Sequence, residues 1–132
     1  PSRTVTETDN LLITTLTMNV QPLHLDAEFA ATTQFRQILV NSMFTLSLVV
    51  GLSVAETTLG TTIGNLGFEK IDFPNPVFIG DTITARTTVL ESRVSKSRAD
   101  RGIVLFEHIG MNQRDEVVCR AQRNAMMKTQ IS

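Results

Sequence analysis

The stretch NSMFTLSLVVGLSVAET, residues 41–57, decides how this chain folds. Asn41 or Ser42 suits a helix N-cap, because a short polar side chain there accepts a free backbone N–H. The dozen residues that follow are apolar on almost every side of a helical projection, and a helix apolar all round is expected to be buried all round. Burying Met43, Phe44, Leu46, Leu48, Val49, Val50, Leu52 and Val54 would contribute ~15–25 kcal/mol before conformational entropy is subtracted. The segment is too short to span a bilayer, and Thr45, Ser47, Gly51 and Ser53 interrupt it. It predicts a central helix on which the rest of the chain is wrapped.

Downstream the pattern changes. TTIGNLGFEKIDF, DTITARTTVLESRVS, GIVLFEHIGMNQ and EVVCRAQRNAMMK read as four strands. Ile83, Ala85, Thr87 and Val89 alternate onto one side of the second. NQRDE suits a hairpin turn, and FPNPVFIGD, with two prolines and a Gly-Asp pair, suits an extended connection. Upstream, Thr6 with Asp9 resembles a capping box that opens a short helix, on which Leu11, Leu12 and Leu16 share a face. Pro22 ends it, since the residue before a proline avoids helix. Asp26 then caps a second short helix, AEFAATTQF, with Glu28 in its first turn. Helices first and antiparallel strands after predict an α+β fold, an antiparallel sheet around one long helix.

With 132 residues the chain suits a single domain over 1–132. An apolar share of 42% against 19% charged excludes intrinsic disorder. The net charge of −1 gives no attraction to nucleic acid or to an acidic membrane. Cys119 is the one cysteine, which rules out an internal disulfide and fits a reducing, cytoplasmic setting. The opening PSRTVTETD lacks the pattern of a secretory leader. It also lacks a Met, which leaves room for residues ahead of Pro1. No zinc-type Cys/His cluster, Walker loop or GxGxxG is present in the sequence, so no metal site is expected.

LTMNVQPLHLDAEFA (16–30), ILVNSMFTLSLV (38–49) and FPNPVFIGDTITARTTV (73–89) together resemble the MaoC-like, or R-specific, enoyl-CoA hydratases. The resemblance covers nearly the whole chain and implies the hot-dog fold, in which a sheet wraps a long helix. The family's first motif, G-D-x-N-P-L-H followed by x-D and F-A, falls on residues 18–24, then Asp26, then Phe29 and Ala30. Its H-G-M falls on Asn41, Ser42 and Met43, and its P-V-F-x-G-D matches residues 76–81 at every defined position. NSMFTLSLVVG and TTLGTTIGNLG further resemble a branch associated with small branched dicarboxyl-CoA esters such as mesaconyl-CoA.

The chemistry implied is addition or removal of water at the α,β bond of a CoA thioester. A base must take a proton from water while an acid delivers one to the α-carbon, and N–H donors must hold the charge that builds on the thioester oxygen. In the family an Asp and a His five residues apart do the first, and a backbone N–H at the start of the central helix does the second. Carried over, His24 matches the catalytic His, but Asn19 stands where the Asp would be. An amide orients a water but does not accept its proton. Ser42 falls on the glycine of the helix start, with Asn41 and Met43 beside it as substrate-binding positions, and Val50 falls where some members carry a serine.

The same residues have plainer readings. His24 suits a buried or capping imidazole in a bend, Asn19 a turn before Pro22, and Ser42 a helix cap. Asp26 reads first as a helix cap and second as a carboxylate that replaces the missing one. His108 reads as a structural or exposed imidazole, Cys119 as core filler and Met126 with Met127 as strand packing. The run 91–101 reads as a solvated strand end, or as a source of Arg and Lys for CoA phosphates. The expected function is an acyl-CoA hydratase or dehydratase that needs no separate cofactor, since CoA belongs to the substrate. A non-catalytic acyl-CoA-binding or protein-interaction module is the alternative that Asn19 favours. Thioester hydrolysis fits less well, given QPLH and no acid placed near the central helix. The resemblance, with the exposed edge of such a sheet, implies a homodimer or higher homo-oligomer.

Overall fold

Asn41 opens the long helix: it stands at the N-cap with φ −58° and ψ 126°, and its Oδ1 accepts the Met43 N–H at 3.0 Å. The computed structural model describes residues 1–129, and this helix, α4, runs Ser42–Thr57. Ahead of it come a short strand β1 (Ser2–Thr4), then α1 (Glu7–Leu16), α2 (Pro22–Leu25) and α3 (Ala27–Ala31). After it come β2 (Thr62–Asp72), β3 (Thr82–Val94), β4 (Arg101–Met111) and β5 (Val117–Lys128). The five strands form one antiparallel sheet in the order β1-β3-β4-β5-β2. The α+β expectation and its four long strands hold to within a residue or two. β1, three residues paired to the start of β3, was not foreseen.

The register shows which side of the sheet meets α4. Gly110 of β4 pairs with Cys119 of β5, and Val49 of α4 sits so close over Gly110 that a Cβ there would collide with its Cγ2. Residues in step with Gly110 share that side: His108 and Phe106 on β4, with Ala121 and Arg123 opposite them on β5. The main core joins Val49 to Val5, Val40, Val77, Ile83 and Val118.

Two expectations need correction. α4 is not buried all round: Thr45, Val49 and Ser53 face the core, while Met43, Ser47, Gly51 and Ala55, four residues apart, are exposed. One sheet packs on one side of the helix, so the opposite stripe stays open. In α1 the leucines Leu11, Leu12 and Leu16 are exposed, and the buried residues are polar, Asn10 and Thr14. The capping box of Thr6 and Asp9 forms as expected. The second short helix stops at Ala31 rather than reaching Phe35.

The P-V-F-x-G-D segment has a structural job. Gly80 takes φ +95°, and the buried Asp81 carboxylate accepts the Phe78 N–H at 2.9 Å and the Gln113 amide at 2.9 Å. This turn sets residues 77 and 78 beside the strap that leads into α4: Val40 N–H donates to the Val77 carbonyl and Leu39 bridges to Phe78.

Candidate active site

His24 lies on α2, a single turn that Pro22 starts and the extended backbone of Asp26 ends. Its Nδ1 is 2.7 Å from the Leu39 carbonyl. A carbonyl can only accept, so Nδ1 carries a ring proton, and in the neutral ring the lone pair is on Nε2. The contact is doubly fixed, because Leu39 N–H donates back to the Leu23 carbonyl at 3.2 Å. An imidazole held in this tautomer is ready to take a proton through Nε2.

Asn10 joins this bend to the helix start. Its Nδ2 donates to the His24 carbonyl at 3.0 Å, and its Oδ1 accepts the Asn41 N–H at 2.9 Å. Asn41 Nδ2 reaches Thr14 Oγ1 at 3.4 Å. Asn10, Thr14 and Asn41 are each at most 2% exposed, and a buried amide keeps its place only when its polar atoms are paired. Sequence reading missed Asn10. The sign of it was the i, i+4 spacing of Asn10 and Thr14 on a helix whose leucines point away.

At the start of α4 the free donor is Ser42. Met43 N–H is occupied by Asn41 Oδ1 and Phe44 N–H by the Asn41 carbonyl. Ser42 N–H has no protein acceptor among the described residues. Of the three predicted binding residues, Asn41 is thus a buried cap, Met43 is a capped position, and Ser42 presents the N–H. Ser42 lines an apolar cavity of about 300 Å3 with Thr45, Val40, Phe73, Val77 and Val118. His24 does not line it. The imidazole borders a smaller cleft of about 40 Å3 with Glu7, Asn10 and Ile79. Leu39 stands between the two: it lines the cavity, and its carbonyl meets His24.

Asn19 follows Met18, which has a left-handed φ of 60°. Its N–H donates to the Thr14 carbonyl at 3.0 Å, and its side chain makes no hydrogen bond to His24 or to other described residues. Asp26 caps α3 by accepting Phe29 N–H at 3.1 Å and does not bond His24. It is a cap, and the reading of it as a replacement carboxylate gains nothing from the structure.

A second polar group sits on the helix side of the sheet. His108 is fully buried, with Nδ1 2.8 Å from Thr87 Oγ1 and Nε2 2.8 Å from Arg123 Nε. Burial, and then the adjacent Arg123 cation, push its pKa down to about 4. It is therefore neutral, as acceptance of the Arg123 N–H requires. The structural reading of His108 fits this place. Cys119 is buried, and burial raises its thiol to about 11. The basic run at 91–101 is exposed at the end of β3 remote from Thr82 and Asp81, roughly 40 Å along the strand, so within one chain it does not meet the α4 start.

A sequence model of the MaoC like domain matches residues 1–112. This chain belongs to that MaoC-like family. The domain is 40% identical over 95 residues to an (R)-specific enoyl-CoA hydratase of Aeromonas caviae, covering 72% of this chain and 69% of the relative. It is 31% identical over 126 residues to a beta-methylmalyl-CoA dehydratase of Chloroflexus aurantiacus, covering 96% of this chain and 35% of that protein. It is 31% identical to a mesaconyl-CoA hydratase of Cereibacter sphaeroides, over 76% of this chain and 29% of that one. The chain thus spans about a third of the length of these last two relatives. A Mycobacterium tuberculosis protein with a double hot-dog fold superposes with a TM-score of 0.85 over 98% of this chain and 40% of its own, at 22% identity. The MaoC-like domain has the hot-dog fold. Among the described residues no helix is long and apolar enough to cross a membrane.

Proposed function

We propose that this MaoC-like domain hydrates, or in reverse dehydrates, the α,β bond of an acyl-CoA thioester, with His24 as acid and base. The carrying observation is the strap: one buried amide, Asn10, ties the His24 bend to the capped start of α4. That tie holds the backbone of the His24 bend against the start of α4, with Leu39 between the cleft at His24 and the cavity at Ser42. In hydration, His24 Nε2 takes a proton from water as the water oxygen bonds the β-carbon. The π electrons move onto the thioester oxygen, where the Ser42 N–H and the positive end of α4 stabilise the charge. The enolate then collapses and takes the proton from the imidazolium at its α-carbon. The free Asn19 amide orients the water and takes no proton. No separate cofactor enters these steps. A small branched dicarboxyl-CoA such as mesaconyl-CoA is the narrower substrate, supported by the names of two relatives.

The domain acts in this reading as a cytoplasmic homodimer. β2 closes the sheet as an open 11-residue edge, with Leu66, Phe68 and Ile71 each more than a third exposed. Loss of the enoyl-thioester absorbance on adding crotonyl-CoA or mesaconyl-CoA tests the activity. His24→Ala is expected to lower kcat by about 10^2–10^4. A non-catalytic acyl-CoA-binding module is the second reading, favoured by the amide at Asn19. It predicts acyl-CoA binding with no turnover and no effect of His24→Ala.

A further inference from the structure

Four cations crowd the β3–β4 turn of a chain whose net charge is −1: Arg93, Lys96, Arg98 and Arg101, against Glu91 and Asp100. Arg98 and Arg101 share Asp100, at 3.4 and 3.2 Å. Arg93 and Lys96 make no ion pair among the described residues. Both border a cleft of about 380 Å3 with Ser95 and Ile103. Two exposed cations over a roomy cleft, with a hydroxyl beside them, suit the oxygens of a phosphate.

Within the chain this cleft is at the wrong end. Val94 lies in one row across the sheet with Gly102, Met127 and Thr62, the first residue of β2. The cavity at Ser42 is lined by Phe73, which directly follows Asp72, the last residue of β2. A second copy of the chain brings the two ends together. The outer edge of β2 has no strand partner, and its sequence is self-complementary about Gly67. A two-fold axis there sets Leu66 opposite the partner's Phe68, Ile63 opposite the partner's Ile71 and Asn65 opposite the partner's Glu69. Ile63, Leu66, Phe68 and Ile71 are each at least 38% exposed in the single chain, a symmetric set that an isologous contact covers. Two such units occur in one chain in the Mycobacterium tuberculosis protein with the double hot-dog fold. Antiparallel pairing about this axis lays the partner's Thr62 beside this chain's Asp72. From this chain's β2 to the partner's β3 is then four strand spacings, about 19 Å. The pantetheine arm of CoA spans about 15 Å from sulfur to the first phosphorus, by the reach of an extended chain with as many bonds. The second phosphate and the ribose phosphate lie beyond that.

We propose that the acyl-CoA site is completed in trans: the partner's Arg93 and Lys96 bind phosphates of the CoA whose thioester lies at this chain's Ser42. This rests on the hydratase reading and makes its site a composite of two chains.

The test compares crotonyl-CoA with crotonyl-pantetheine, which has the thioester and no phosphate. The parent should prefer the CoA ester in kcat/KM, and Arg93→Gln/Lys96→Gln should lose about 10–100-fold of that preference, the scale of charge-assisted contacts at an exposed site. A hybrid dimer, purified by two tags after co-expression of that double variant with His24→Ala, separates trans from cis. Its intact His24 meets an intact turn only if the turn comes from the other chain. With crotonyl-CoA far below KM the hybrid should reach about half the parent rate, while both homodimers are at least about tenfold slower. A hybrid no faster than the mean of the two homodimers overturns the proposal, and so does an equal loss for both esters in the double variant. Leu66→Asp/Phe68→Asp gives a reading that needs no turnover. It should sediment as a monomer and, in calorimetry, bind CoA about 10–100-fold more weakly, although Ser42, Arg93 and Lys96 are all retained. A monomer with the parent's affinity for CoA overturns the proposal, as does an unchanged affinity in Arg93→Gln/Lys96→Gln. Weakened CoA binding in both variants of a parent that hydrates neither ester leaves the composite site standing and removes the hydratase reading.

Discussion

Asn10 is the residue on which the site's geometry hangs. Asn10→Ala leaves the Asn41 N–H and the His24 carbonyl without their partner in a buried place. The expected loss is about 1–3 kcal/mol in urea unfolding. kcat should fall while KM changes little, because the change loosens the imidazole relative to the donor rather than the binding surface. Asn10→Asp restores one acceptor and no donor, so it should recover the Asn41 contact alone. Equal activity in all three proteins would contradict the strap. At this scale the motif register singled out His24, Asn19 and Ser42 as site candidates, and the structure ties the His24 bend to the start of α4 while giving the Asn19 side chain no partner among the described residues. Met18 shows why the family's motif opens on glycine, since that position has a left-handed φ. Asn10 and Arg123 escaped because their roles depend on contacts 31 and 15 residues away in the chain. Arg123 did leave a trace: it breaks the inward series Cys119, Ala121, Ala125 and Met127.

Among the elements, the α4–sheet contact turns on one glycine. Gly110→Ala drives a methyl into Val49 and should cost about 1–3 kcal/mol of stability. Val49→Ala alone also destabilises, by opening space, but the double variant should be less destabilised than the two single losses added together. Strict additivity in thermal unfolding would contradict the packing described here. The helix and the four long strands were readable because period and turn chemistry agreed along them. The faces were less readable. α1 turns its amide and hydroxyl inward because buried hydrogen bonds to Asn41 and His24 need them there. Composition showed α4 as apolar on every side, but it could not show that one sheet covers one side only.

For the molecule as a whole, His108 links stability to pH. Its pKa is about 4 in the fold against an ordinary 6.5, so between those values the unfolded chain takes up a proton that the folded chain refuses. Its contribution is fully present above about pH 6.5 and is lost as the pH falls to 4. The urea midpoint should drop across that window, and more steeply in the parent than in His108→Gln. Asp9, Asp100 and Glu116, whose partners hold them below their ordinary values, also lose stabilisation in acid. The difference between the two proteins is therefore the diagnostic quantity, and parallel curves would contradict a neutral, buried His108. The most direct test of the central claim is mass analysis of the product formed from mesaconyl-CoA in D2O by the parent and by His24→Ala. The account predicts a hydroxyacyl-CoA with one deuterium on its α-carbon from the parent, formed about 10^2–10^4 times more slowly by His24→Ala. The same product at the same rate from both proteins, or no product from either, would contradict it.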